Sequence, residues 1–392
     1  MKINFKTPHW GVFLKGEIMI YFDNAATSGK KPENVITAVN NALRFLSANP
    51  GRSGHDAAMK TADKVYKVRE KIASFFGADG AENVIFTQNC THSINCVLKG
   101  ILTENMHTVI SDLEHNAVMR PLIKSKAEYT AFKTGDTKDE TFESFKNAVR
   151  ENTKLVFVTG ASNVSGKILP VAEIGKFCKN RGILFGVDAA QTAGVLPINM
   201  QKDNIDFLCI APHKGLYAPM GIGVLICRKP LNNTIIEGGT GTDSFDFSQP
   251  LIMPEGFESG TVNVPAIMGI GAGIDFVGNF GINRIYKHEF SLLDMLYKRL
   301  KSNSNIELYT KQPVFGEAVA VLPFNAKNTD CYTLGEFLNK YGIAVRAGLH
   351  CAPTAHYAIG TPKSGCCRIS LGIFNNKTEI ERLCFILDKK LK

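Results

Sequence analysis

Residues 182–191, GILFGVDAAQ, and residues 206–215, DFLCIAPHKG, decide how this chain is read. Each contains a short run rich in Ile, Leu, Val and Phe that closes on turn residues. Such runs read as strands buried on both faces of a parallel sheet. Asp188 lies just past the first run and Lys214 just past the second. In open α/β sheets the ligand sits outside the carboxyl ends of the strands, where these two residues emerge. A lysine able to form a Schiff base and an acid able to hold a pyridinium nitrogen are what pyridoxal phosphate (PLP) chemistry requires. The pair alone is a weak signal, because a satisfied turn acid and a surface lysine fit two strand ends equally well.

On either side of this pair, strands alternate with helices. KPENVITAVNNALRFLSA (31–48) and AAMKTADKVYKVREKIASFFGA (57–78) have helical spacing, the second stopped by Gly77. NVIFTQNCTHSINCVLKGIL (83–102) reads as strand, turn and helix, and HTVISDLEHNAV (107–118) as a strand ending in an acid–His pair. KLVFVTGASNVSGKILP (154–170) is a strand with a polar turn, and VAEIGKFCKNRG (171–182) a helix feeding the strand before Asp188. This alternation implies an α/β fold with a mainly parallel, doubly wound sheet. The pattern changes near Pro265. Residues 266–302 read as a glycine-eased helix continuing into a long amphipathic one, and the strands and helix beyond suggest a small α+β domain. The expected division is an N-terminal extension (1–18), a large domain (19–264) and a small C-terminal domain (265–392).

Composition narrows the class. The 392 residues are 44% hydrophobic and 21% charged, ordinary for a globular protein, and 45 basic against 36 acidic residues give a formal charge of +9. Basic residues are scattered rather than clustered with aromatics, so nucleic acid is not expected as a partner. No apolar stretch approaches the length of a membrane span, and the first residues lack the pattern of a secretory signal. Ten cysteines without a CxxC pair suggest reduced thiols, a cytoplasmic location and no metal site. Residues 1–18 are either an appendage or the product of an upstream start.

Nine short motifs then occur in one order: YFDNAAT, FTQNCTHSIN, LEHNAV, SNVSG, VDAAQ, PHKG, FESGTVN, VRAGLHCAP and CRISL. Together they resemble the class-V enzymes of PLP fold type I, and among these the cysteine desulfurases, specifically the Suf-type group. The resemblance covers nearly the whole chain from Met19. It implies PLP as cofactor, with Lys214 binding it covalently and Asp188 at the pyridinium nitrogen. Gln191 would face the phenolic oxygen, and His115 would stack on the ring and serve in proton transfer. Thr91, the backbone of His92, and His213 would hold the phosphate, joined by Thr261 from the neighbouring subunit of a homodimer. Arg368 and Asn163 would bind the substrate carboxylate, Ala25 and Ala26 would let substrate approach, and His55 and Arg346 are weaker pocket candidates. A structural ion pair is the competing reading of Arg368. Ala211-Pro212 replaces the usual Ser-Gly before His213 and removes donors, and Val262 replaces the usual proline after Thr261.

Cys351 names the reaction. Many class-V relatives share the lysine, acid and phosphate loop while catalysing other chemistry. A cysteine in a polar Gly/His/Pro loop, beside Arg346 and His350, suits a thiolate, whereas Cys178, Cys209, Cys227 and Cys384 read as buried small hydrophobes. Cys366 and Cys367, just before Arg368, are either spectators, the favoured reading, or include one that accepts or protects a sulfur. The implied reaction converts L-cysteine to L-alanine and leaves a persulfide on Cys351 for an acceptor protein or thiol. Selenocysteine lyase, an aminotransferase or epimerase of the same architecture, and a catalytically weak sulfur-carrier scaffold stay open at this point.

Overall fold

The computed structural model describes residues 19–51, 53–241 and 245–390, so the expected extension 1–18 lies outside the described residues. Seven strands form the main sheet in the order Val84–Thr87, Gly223–Cys227, Phe207–Ile210, Leu184–Asp188, Thr153–Thr159, His107–Ser111, Glu128–Phe132. The Gly223–Cys227 strand runs antiparallel to both neighbours; every other adjacent pair is parallel. Successive residues feed opposite faces. Val156, Val158, Phe185, Val187, Leu208 and Ile210 join one apolar core, while Leu155, Phe157, Phe207 and Cys209 join another. This strict alternation is why the strands are apolar throughout, since helices cover both faces. Burying each such side chain contributes about 1.5–3 kcal/mol.

A second sheet of four antiparallel strands is ordered Arg346–Gly348, Cys366–Ser370, Val321–Ala326, Ile306–Leu308. Its own core is closed by the helices Ile282–Lys301, Cys331–Lys340 and Lys377–Lys390. Core membership does not follow chain order. Ile20 and Phe22 belong to this second core, and Ile20–Tyr21 pairs with Ile343–Ala344. The Val264–Phe280 helix and Ile285 of the next helix belong to the first core, Leu292 and later residues of that helix belong to the second, and Ala352, Ala355 and Cys366 return to the first. The Ile282–Lys301 helix thus contributes to both cores.

The expected continuous helix over 266–302 is broken. Val264–Phe280 and Ile282–Lys301 meet at 78°, and Gly281 between them has φ 91°, a conformation that favours glycine. Gly273 serves close approach instead. A Cβ there would lie 1.8 Å from the Leu216 carbonyl oxygen, so this helix packs backbone to backbone against the turn that carries Lys214. Among the described residues no single helix is long and apolar enough to cross a membrane.

Candidate active site

Asp188 ends its strand, 4% exposed, and Lys214 follows the neighbouring strand by four residues in a turn closed by Lys214 N–H to the Ala211 carbonyl (3.1 Å). One Asp188 oxygen accepts from Ala190 N–H at 2.9 Å and from the Cys90 thiol at 3.6 Å. The Lys214 amino group, half-buried, makes no hydrogen bond or ion pair with a described residue. Burial pushes its pKa below the ordinary lysine value, and Asp188 opposes that shift.

His115 caps the Asn116–Ser125 helix, its Nδ1 accepting from Ala117 N–H at 3.0 Å. Burial lowers its pKa, Asp188 opposes this, and Lys214 and Arg346 add to it, so the imidazole stands neutral among these charges. The acid before it, Glu114, turns inward instead. It accepts from Ser111 and from Thr159 N–H, tying two strand ends together, and burial lifts its pKa to about 8.

The Cys351 turn docks on this same segment. Asn116 N–H donates to the Cys351 carbonyl (2.7 Å) and Thr354 Oγ1 to the Glu114 carbonyl (2.9 Å). Cys351 is exposed, with Arg346 Nη2 at 3.4 Å from its sulfur. His350 corrects the sequence expectation of a second cation there. It is 2% exposed, its Nδ1 faces His356 at 3.1 Å, and burial together with Arg368 pushes its pKa down to about 3. It is neutral.

Arg368 is fully buried in the second sheet. Its Nη2 pairs with Asp23 at 2.6 Å and its Nη1 donates to the Asn163 carbonyl at 2.9 Å, leaving Nε buried without a partner. The structural ion pair is thus what this chain displays. Asn163 in turn donates to the His350 carbonyl at 2.8 Å. Ala25 is buried; its N–H donates to Ser370 Oγ at 2.8 Å, and its carbonyl accepts from Gln191 Nε2 at 3.1 Å, with Ala26 beside it. The DNAA segment is therefore stitched to the second sheet through Ser370 and to the first through Gln191.

At the other end, the Cys90–Ile101 helix starts on Asn89, whose side chain accepts the His92 N–H at 2.9 Å. This corrects the expectation that the His92 N–H is available to phosphate. The helix's first two N–H groups, of Cys90 and Thr91, have no acceptor among the described residues. A Cβ on Gly223 would meet the Asn89 carbonyl carbon at 2.3 Å, so the glycine keeps this cradle closed up against the sheet. His213 Nδ1 lies 3.0 Å from Thr27 Oγ1, and burial, Lys214 and Lys31 push its pKa down to about 4. Free helix N-terminal donors, an unpartnered lysine and an acid at the adjoining strand end fit PLP. Thr261 is exposed, and so is His55, whose ring accepts from Ala58 N–H to cap its own helix rather than joining this cluster.

Residues 20–383 match the family described as aminotransferase class-V. The chain belongs to that family. A probable cysteine desulfurase of Borreliella burgdorferi is 30% identical over 392 residues, covering 95% of this chain and 92% of the relative. A cysteine desulfurase of Escherichia coli K12 is 31% identical, covering 94% and 93%. The apo structure of a cysteine desulfurase from Thermococcus onnurineus NA1 superimposes with a TM-score of 0.83 at 29% identity, over 95% of this chain and 94% of that one.

Sequence reasoning missed three members of the cluster: Cys90 on Asp188, Asp23 on Arg368, and the Asn116–Cys351 contact. Asp23 stood inside a quoted motif. Its partner lies 345 residues away, beyond any spacing rule.

Proposed function

We propose that the protein is a PLP-dependent cysteine desulfurase, converting L-cysteine to L-alanine with transient storage of the sulfur on Cys351. The observation that carries this reading is the docking of the Cys351 turn, with Arg346 against the sulfur, onto the His115 segment beside Lys214 and Asp188. When bound at Lys214, PLP supplies an electron sink for the substrate Cα. Asp188 would hold the ring nitrogen, the Cys90 and Thr91 N–H groups with His213 would hold the phosphate, and Gln191 would serve the phenolic oxygen. Lys214, held towards its neutral form, would take the Cα proton and later return it, and neutral His115 would sit beside the cofactor and move protons nearby. The Cys351 thiolate attacks the substrate sulfur; an S–S bond forms, the substrate C–S bond breaks, and its electron pair is protonated at Cβ to give alanine. Arg368 grips the substrate carboxylate through its unpaired Nε and by exchange with Asp23, with Asn163 alongside. An acceptor protein or thiol then takes the outer sulfur.

The exposure of Thr261 supports a homodimer in which this residue reaches the partner's phosphate. Ten unpaired cysteines support a cytoplasmic, reducing setting. The test is mass spectrometry of the holoprotein after L-cysteine, together with alanine release. The expected result is one added sulfur on Cys351 and none in Cys351→Ser, which keeps the visible cofactor band. Alanine formation at the wild-type rate by Cys351→Ser would remove the assignment. Faster alanine formation from L-selenocysteine by both proteins would favour a selenocysteine lyase.

A further inference from the structure

Beneath the Cys351 turn, three buried side chains with metal-binding atoms converge: His350, His356 and Cys366, their ligand atoms all within 4.8 Å of one another. They come from the turn itself, the following short helix and the Cys366–Ser370 strand, and none has a role in the reaction above. Each imidazole is tethered at its outer nitrogen. His350 Nε2 lies 3.3 Å from the Arg346 carbonyl, an acceptor, so Nε2 carries the hydrogen and Nδ1 presents a lone pair. His356 Nδ1 lies 2.7 Å from Thr361 Oγ1, a hydroxyl able to accept its hydrogen. With its hydrogen there, His356 Nε2 presents a lone pair too. The two inner nitrogens face one another at 3.1 Å, the rings parallel within 5°, a separation that suits either an N–H···N hydrogen bond or a shared cation. Two imidazoles bound at ~2.0–2.1 Å to a tetrahedral ion place their nitrogens roughly 3.3 Å apart.

We propose that His350, His356 and Cys366 bind one zinc(II) ion, or a cation of like softness, that locks the turn carrying Cys351. Binding releases the Cys366 thiol proton, and the resulting thiolate cancels one of the two metal charges. The charge on Arg368, two residues along, is already balanced by Asp23. The oxygen contacts on the outer nitrogens fix both rings for the metal, as such contacts do in known sites. The turn has need of a clamp. His350 and Cys351 are consecutive non-glycine residues at φ 50° and 56°, each costing about 1–2 kcal/mol. Ligation of His350 holds that conformation from below and leaves the Cys351 sulfur outward.

The test uses the full-length holoprotein carrying Cys351→Ser, which removes the exposed thiol as a competing ligand. The protein is stripped with a chelator, given zinc(II) or cobalt(II) in modest excess and passed through a desalting column. The expected result is about one zinc per chain by elemental analysis. Cobalt(II) should give tetrahedral ligand-field bands and a thiolate-to-metal charge-transfer band. Adding Cys366→Ser should abolish the charge-transfer band, and His356→Gln should weaken metal retention at least ~10-fold. Zinc below about 0.1 per chain in the folded protein overturns the site, and assigns the cluster to a hydrogen-bonded chain in which Thr361 donates to His356. A cobalt spectrum indifferent to Cys366→Ser overturns it as well. If Cys366→Ser does not fold, zinc content of the parent protein and the His356→Gln comparison still decide.

Discussion

Replacing Glu289 by glutamine should stabilise this protein, and more so as pH rises. Glu289 projects from the Ile282–Lys301 helix into a cavity of about 50 Å³ that it lines with Lys214, Gly215, Tyr217 and Ser370. It is 4% exposed, it accepts a hydrogen bond from the Ile373 backbone, and burial raises its pKa from 4.5 to about 8. The folded protein therefore keeps a proton that the unfolded chain releases above pH 4.5. Stability falls by about 1.4 kcal/mol per pH unit from there to pH 8 and levels off beyond. Between pH 6 and pH 8 the loss is about 2 kcal/mol. Glutamine has the same shape, keeps the acceptor for Ile373 and does not titrate, so the variant should lack this component. Glu114, also near 8, contributes equally to both proteins and cancels in the difference. The assay is urea unfolding of both holoproteins at pH 6 and pH 8, read as the change in their stability difference. Parallel pH dependences, or a variant less stable than wild type at pH 8, would refute the reasoning, because an ionised and solvated Glu289 gives no such slope.

Three further outcomes follow from the same geometry. Lys214→Ala should leave no cofactor attached to the chain after borohydride reduction in the presence of PLP, whereas wild type retains it; equal retention would take Lys214 out of its role. Gly273→Ala should cost roughly 1–3 kcal/mol by overpacking and shift the cofactor absorbance, since its Cβ would lie 1.8 Å from the carbonyl oxygen of Leu216, two residues past Lys214. An unchanged melting temperature and spectrum would show that the helix stands farther from that turn. Arg346→Gln removes a charged donor 3.4 Å from the Cys351 sulfur; losing a charge-assisted bond worth about 1.5–3 kcal/mol should slow persulfide formation at least ~10-fold. The cofactor band should stay in place, and an unaltered rate of sulfur transfer would mean that Arg346 serves elsewhere.

The parts of this molecule that were legible in its sequence are those fixed by local periodicity. Phe185 and Val187 against Leu184 and Gly186, or Leu208 and Ile210 against Phe207 and Cys209, alternate because both sheet faces are covered, so the strands and the positions of Asp188 and Lys214 could be read directly. Gly77 ended its helix where its φ of 64° requires. Periodicity carries no information on what meets across the fold. Gly281 sits in an apolar, helix-compatible run, and only tertiary packing turns it into a 78° break. His350 adjoins Cys351 and reads as a second positive neighbour, yet the backbone turns its ring into a dry layer beside Arg368, where it is neutral. Arg368 has the chemistry of a carboxylate clamp, and the carboxylate it holds here belongs to Asp23. That pair also sets a requirement on substrate binding. An amino acid entering with its carboxylate at Arg368 must displace or share an existing partner, so its affinity is the difference between two ion pairs rather than the strength of one. Asp23 is tied by its own segment to Ser370, two residues beyond Arg368 on the same strand. Substrate exchange at Arg368 is thereby coupled to the contact between the N-terminal segment and the second sheet, the same sheet that carries Arg346.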